Sequence, residues 1–253
     1  MTIKYIAESY QRMLRDHHLG DFSNIWDAKV AWFEEPNERR GGWSGVGKMM
    51  LSDGSAQQGV FLKRQQNHQR RTLRHPFSGQ PTFACEFEMI NYLANHGVPS
   101  LEVVAFGTRD SDAGEQAILM TKELAGFESL ESFTEKLFET RPSVSKQNLV
   151  IKQVAKTVAK LHQSGVQHRS LYPKHLFVDK ELSREVVVID LEKSRVKYIG
   201  LLRAFYDLAT LNRHAKYWTK TRRLYFYLQY LGQPKLTFLS KCLCRLIIKR
   251  SKR

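Results

Sequence analysis

The stretch 144–192 constrains the fold of this 253-residue chain more than any other. It opens with a long amphipathic helical pattern over 144–164, with Leu149, Val154, Val158 and Leu161 set for the core and Gly165 as its stop. A His168-Arg169 dipeptide follows, then two short apolar runs at 176–178 and 186–191 around a polar turn, the second closing on Asp190. A long helix, a polar loop and a short hairpin ending in an acid can be housed by few folds.

Upstream the texture is different. Short apolar runs separated by Gly, Ser and Asp predict consecutive antiparallel strands from Gly41 to Lys63, with two more at 101–106 and 116–124. The segment 64–81 is polar, basic and punctuated by Pro and Gly, so it reads as a loop, and 83–96 has helical spacing with Gly97 as its stop. Residues 1–40 read as a mixed, helical extension ending in a polar run. The expected organisation is an α+β chain: extension 1–40, a small β-rich lobe 41–124 carrying one helix, and a larger helical lobe 125–253, with a hinge near 121–126 and a cleft between the lobes.

Charge is one-sided. Of the formal +15, the segment 195–253 carries fifteen Lys or Arg against the single acid Asp207, so the first 194 residues are near balance. Such asymmetry points to an anionic partner such as a membrane surface or anionic glycolipid, or else to a solvated basic surface. Within it, 235–253 places Leu236, Leu239, Leu243, Leu246 and Ile247 on one helical face and Lys241, Arg245, Lys249 and Lys252 on the other. That pattern suits a surface-lying membrane helix or a terminal helix packed on its own lobe. No nucleic-acid motif accompanies the interleaved tyrosines, which argues against a nucleic-acid partner. Three cysteines make no disulfide framework, no apolar run is long enough to cross a bilayer, and the N-terminus lacks a secretory pattern. The expectation is a cytoplasmic chain, peripheral on the inner membrane where its partner is a lipid. Oligomeric state is not legible.

Phosphoryl transfer from a nucleotide needs a glycine turn over the phosphates, a strand lysine, a helix carboxylate to hold it, a loop acid for the attacking hydroxyl and a metal-binding acid after it. Candidates occur here in that order: Gly42, Ser44 and Gly45; Lys63 closing VFLK; Glu86 in the following helix; His168-Arg169-Ser170; and Asp190. Glu86 is preferred to Glu88 because it lies two helical turns before Leu93, on the same apolar face. Taken singly, a strand-end lysine or acid is more often solvated or a cap. The ordered set is the stronger signal.

In VFLKRQ, PTFACEFEMINYLANHGVPSLEV, ILMTKEL, QHRSLYPKHLFV and VVVIDLEKSR, across roughly 40–215, the chain resembles the lipopolysaccharide kinases of core heptose and Kdo, particularly their InaA-type branch. The resemblance implies a bilobal protein-kinase-like fold, ATP and Mg²⁺, and a sugar hydroxyl of the lipopolysaccharide core as acceptor. It implies cofactor contacts at Met120, Glu123 and Leu124, metal ligands at His175 and Asp190, and Asp207 as anchor of the catalytic loop. Two positions depart from the family pattern. Ser170 stands where the catalytic aspartate belongs and His175 where an asparagine ligand belongs. A hydroxyl accepts no proton at neutral pH, so base loss would slow transfer by ~10²–10⁴-fold, unless His168, Asp179 or a phosphate of the acceptor assists. Imidazole at 175 favours Mn²⁺ over hard Mg²⁺, or serves the loop backbone instead. The readings left open are a slow kinase, a non-catalytic nucleotide- or partner-binding pseudokinase, and a nucleic-acid binder.

Overall fold

The computed structural model describes residues 2–39, 41–54, 56–71, 75, 77, 79–140 and 143–252. The chain divides into two units, one of residues 1–90 and 101–125 and one of residues 91–100 and 126–253.

The first unit contains β1 (Thr2–Ile6), α1 (Gln11–Asp16), α2 (Phe22–Asp27), β2 (Ala31–Arg39), β3 (Gly42–Ser52), β4 (Gln57–Gln66), β5 (Gln69–Arg70), β6 (Gln80–Pro81), most of α3 (Thr82–Asn95), β7 (Val103–Ser111) and β8 (Gly114–Lys122). Among the described residues six strands form one antiparallel sheet in the order β1-β7-β8-β4-β3-β2. Successive side chains alternate between its faces. Val60 and Leu62 of β4, Ile118 and Met120 of β8, and Val104 of β7 pack with Tyr10, Leu14, Phe22 and Ile25 from the α1–α2 segment into one core. That segment is set by a cap: the Asp21 carboxylate accepts from the Asn24 amide at 2.9 Å, closing the first turn of α2. The intervening residues of β4 and β8 therefore belong to the opposite face, which carries α3.

The second unit contains β9 (Phe127–Ser129), α4 (Leu130–Thr140), α5 (Val144–Gln163), β10 (Val166–Gln167), β11 (Leu176–Asp179), β12 (Val187–Val188), β13 (Arg195–Val196), α6 (Gly200–His214), α7 (Lys220–Leu231) and α8 (Phe238–Ser251). Its strands form two small antiparallel groups, β12-β11-β9 and β10-β13. Ser143 caps α5 by accepting from the Lys146 amide. Val150, Ile151, Val154, Val158 and Leu161 then bury one complete stripe at helical spacing. Gly165, at φ +91°, turns the chain out of α5. The Asp179 carboxylate, buried at the end of β11, accepts from Ser183 N and Oγ and from Arg184 N and its guanidinium, which ties the β11–β12 turn. These bonds, the guanidinium first, hold its pKa well below the usual carboxylate range.

Several expectations are corrected. Residues 1–40 are no helical extension: β1 and β2 are the two edge strands of the main sheet and α1–α2 covers its core. Their apolar residues mix strand and helix periods within short segments, which hides both. The 64–81 region is not all loop, since β4 continues through Gln66 and Gln69–Arg70 pairs with Gln80–Pro81; positions 72–74, 76 and 78 lie outside the described residues. Leu149 is exposed rather than in the core, one position before the buried stripe begins at Val150. The apolar face of α8 is split: Ile247 is buried and Ser251 Oγ bonds to Ala209 O of α6, while Phe238, Leu239 and Leu246 face solvent. Arg253, the last basic residue of that pattern, lies outside the described residues. No helix of the described residues is long and apolar enough to cross a membrane.

Candidate functional site

In the first unit the chemistry is gathered on the α3 face of the sheet. Lys63 sits in β4 between Val46 of β3 and Leu119 of β8. Its ammonium meets both carboxylate oxygens of Glu86, at 2.7 and 2.8 Å, with the Glu86 side chain 2% exposed and that of Lys63 17% exposed. Burying an ion pair costs desolvation that a pair of apolar residues would not incur.

Gln65, two residues along the same strand face, fixes the approach of α3. Its side-chain carbonyl accepts from Thr82 Oγ1 at 2.7 Å and from the Phe83 amide at 3.0 Å, while its amide donates to His68 O at 2.6 Å. It thus holds the first residues of the helix that presents Glu86. Sequence reasoning missed this role, although same-face spacing from Lys63 could have indicated it. Two residues on the other side of Lys63, Phe61 lies under Lys48, whose ammonium pairs with Glu123 at 2.6 Å and stands 5.8 Å from the Phe61 ring. Glu123 is thereby on the Lys63 face, and Gly59 leaves room for its carboxylate.

The other expected nucleotide residues scatter. Ser44 pairs with Gln65 and shares its face. Gly45, opposite Arg64, packs against Trp32 and Pro36 on the α1–α2 side. Gly42 is a strand residue whose backbone closely approaches Asn67 O, and Gly41, at φ +76°, is the glycine in the β2–β3 turn. Met120 is corrected: fully buried among Leu62, Ile118 and Val104, it belongs to the opposite face and cannot meet a ligand beside Lys63. Leu124 follows β8, half-buried.

In the second unit Asp207, on α6 and wholly buried, organises the 168–175 loop. Its carboxylate accepts from the His168 amide at 2.6 Å, the Arg169 amide at 2.8 Å and His162 Nε2 at 3.2 Å. The other ring nitrogen of His162 accepts from Tyr230 Oη at 2.9 Å, and burial raises the Tyr230 hydroxyl well above its ordinary value. The clamp holds Arg169 at φ 69°, a conformation costly for a side-chain-bearing residue.

His168 uses both nitrogens internally. Nε2 donates to Ile189 O at 2.9 Å and Nδ1 accepts from the Ser170 amide at 3.3 Å. Burial lowers its pKa and leaves it neutral, against the pull of Asp207. Ser170 is buried, and its carbonyl accepts from the Tyr172 amide and from His175 Nδ1, each at 2.8 Å. A carbonyl only accepts, so Nδ1 of His175 carries the proton and also faces Asp190 Oδ2 at 3.1 Å. Nε2 keeps its lone pair. Burial lowers the His175 pKa too, with Asp190 opposing. Asp190, at φ 59°, is a second backbone outlier, two residues past β12. Neither of the expected substitute bases is available: His168 has no free nitrogen, and Asp179 is taken up by Ser183 and Arg184.

Among the described residues no group of three or more His, Cys, Asp or Glu could hold a metal ion. Asp190 supplies one carboxylate donor; the expected second ligand is corrected, because Asp190 Oδ2 lies beside His175 Nδ1 at 3.1 Å and Nε2 points away at the other end of the ring. A single donor suits a cation carried by a polyphosphate, which brings further oxygens and water, rather than a cage built by protein alone.

Comparison with known proteins gives a consistent result. Residues 23–230 match the model of the Lipopolysaccharide kinase (Kdo/WaaP) family. Protein InaA of Escherichia coli K12 is 34% identical over 176 residues, covering 69% of this chain and 79% of that protein. The lipopolysaccharide core heptose(I) kinase WaaP of Pseudomonas aeruginosa is 33% identical over 118 residues, 44% of each chain. A solved structure of WaaP in complex with acyl carrier protein superposes with a TM-score of 0.72 at 23% identity, over all of this chain and 98% of that one, which shows a common fold.

Proposed function

The chain belongs to the lipopolysaccharide kinase (Kdo/WaaP) family, and on that premise we propose that it is a slow ATP-dependent phosphotransferase acting on a sugar hydroxyl of the lipopolysaccharide core. The observation that carries this is the buried Lys63–Glu86 pair, a strand lysine held by a carboxylate of the following helix. Lys63 would neutralise the nucleotide phosphates. Asp190, oriented by His175 Nδ1, would hold the divalent cation, Mg²⁺ or Mn²⁺, which would supply charge neutralisation at the phosphates. Lys48, Phe61 and Glu123 occupy the same face on the side of Lys63 away from Gln65 and would border the base. The basic second unit and an anionic glycolipid acceptor suit a cytoplasmic chain working at a membrane surface.

Transfer would proceed mainly by positioning and charge neutralisation, because neither Ser170 nor His168 nor Asp179 can take the proton. Label passing from γ-labelled ATP to purified core glycolipid, and lost in Asp190→Ala, is the expected result. Transfer unchanged in that variant would remove Asp190 from the mechanism. Ser170 itself favours a second reading, a nucleotide-binding protein that transfers nothing. Binding of ATP with no transfer to any core acceptor would decide for it.

A further inference from the structure

Among the described residues of the second unit, an exposed apolar run extends from the end of β13 into the start of α6. Val196, Tyr198, Ile199, Leu201 and Leu202 are all exposed, Tyr198 to 95% and Leu201 to 63%. Between 196 and 202 the only other residues are Lys197 and Gly200. Contiguous apolar exposure on this scale marks an interaction surface rather than ordinary scatter.

Its surroundings say what kind. Lys193, Arg195, Lys197 and Arg203 flank it, and no acid occurs between Glu192 and Asp207, the latter wholly buried and facing the loop. From α8 the Arg250 guanidinium lies 4.6 Å from the Tyr206 ring, and Lys197 Nζ stands 5.5 Å from the same ring. An apolar segment led by a protruding tyrosine and collared by cations complements an anionic bilayer: rings and aliphatic groups enter the boundary of the acyl chains while Lys and Arg meet headgroup phosphates. A soluble protein partner would need a matching hollow for side chains as exposed as Tyr198. A bilayer needs none.

We propose that residues 196–202, with Lys197, Arg203 and Arg250 around them, form a bilayer-docking surface for anionic lipid. This deepens the glycolipid reading, on which its purpose rests. Asp190 precedes Val196 by six residues, at most about 20 Å of chain, so docking would keep the metal-binding end of the site near the headgroups of an acceptor embedded in the membrane. It also moves the membrane contact expected of α8 to the start of α6.

The test is sedimentation of the full chain with vesicles of phosphatidylcholine alone or with about a third phosphatidylglycerol, free of glycolipid and ATP. Binding to the anionic vesicles, weakened by salt, is expected. It should fall at least tenfold in Tyr198→Ser/Leu201→Ser and less than twofold in Phe238→Ser/Leu239→Ser, with melting temperatures unchanged because all four side chains are exposed. Absence of wild-type binding, or equal binding by the two double variants, would overturn the proposal. Vesicle binding is read without transfer, so failure of the kinase reading shows separately, as no transfer to a deacylated, water-soluble core oligosaccharide.

Discussion

Ser170 lies in a loop whose neighbours are all committed. Asp207 takes the amides of His168 and Arg169, and His168 spends both nitrogens on Ile189 and Ser170. The loop is therefore held in shape without a hydrogen bond from the side chain at 170, so a carboxylate there would replace none of that frame's bonds. Ser170→Asp is expected to speed phosphoryl transfer by ~10² or more while ATP affinity changes less than twofold, as followed with γ-labelled ATP and by titration. No gain in rate would show that the missing base does not limit the protein. Gln65 offers the complementary case, a residue that acts on Lys63 only through α3. Gln65→Leu leaves the Phe83 amide and His68 carbonyl without their partner and should cost about 1–3 kcal/mol in chemical denaturation. It should weaken ATP binding several-fold because Glu86 is no longer held in place. Stability lost with affinity intact would confine Gln65 to a structural role.

Elements differ in how far the sequence discloses them. The helices with a full stripe and a terminal glycine, α3 and α5, and the ordered run from His168 to Asp190 are legible because period, stop and chemistry agree. The 1–40 region is not, since β1 gains its partner from the distant β7, and β2, though it forms a hairpin with β3, carries a mixed apolar pattern that shows no strand period. The meeting of Lys63 with Glu86 is legible because the expected pairing of a strand lysine with a helix carboxylate is what forms. The site is illegible where only sheet parity decides: Met120 and Leu119 are both apolar neighbours in β8, yet Leu119 pairs with Lys63 while Met120 turns to the opposite core. The β11–β12 turn shows how one buried carboxylate can fix an element. Folded Asp179 releases its proton at lower pH than in the unfolded chain, so its contribution is complete above about pH 4 and disappears as pH falls below that value. Asp179→Asn should cost about 2 kcal/mol at neutral pH and flatten that acid limb, as measured by denaturant titration across pH 2–7. An acid limb identical to that of the wild type would assign it to other carboxylates.

At the scale of the whole molecule, charge and chemistry are divided between two units. The first holds an ammonium locked to a buried glutamate, and the second a strained aspartate beside a neutral imidazole with one lone pair open. The proposed function assigns phosphate neutralisation to the first group and cation binding to the second. Calorimetric titration of ATP with Mg²⁺ or Mn²⁺ tests this most directly, because it reads binding whether or not turnover survives Ser170. The account predicts metal-dependent binding to the wild type that weakens at least tenfold in Lys63→Met and, separately, in Asp190→Asn, both still folded. Absence of metal-dependent ATP binding, or affinity untouched by either substitution, would contradict it.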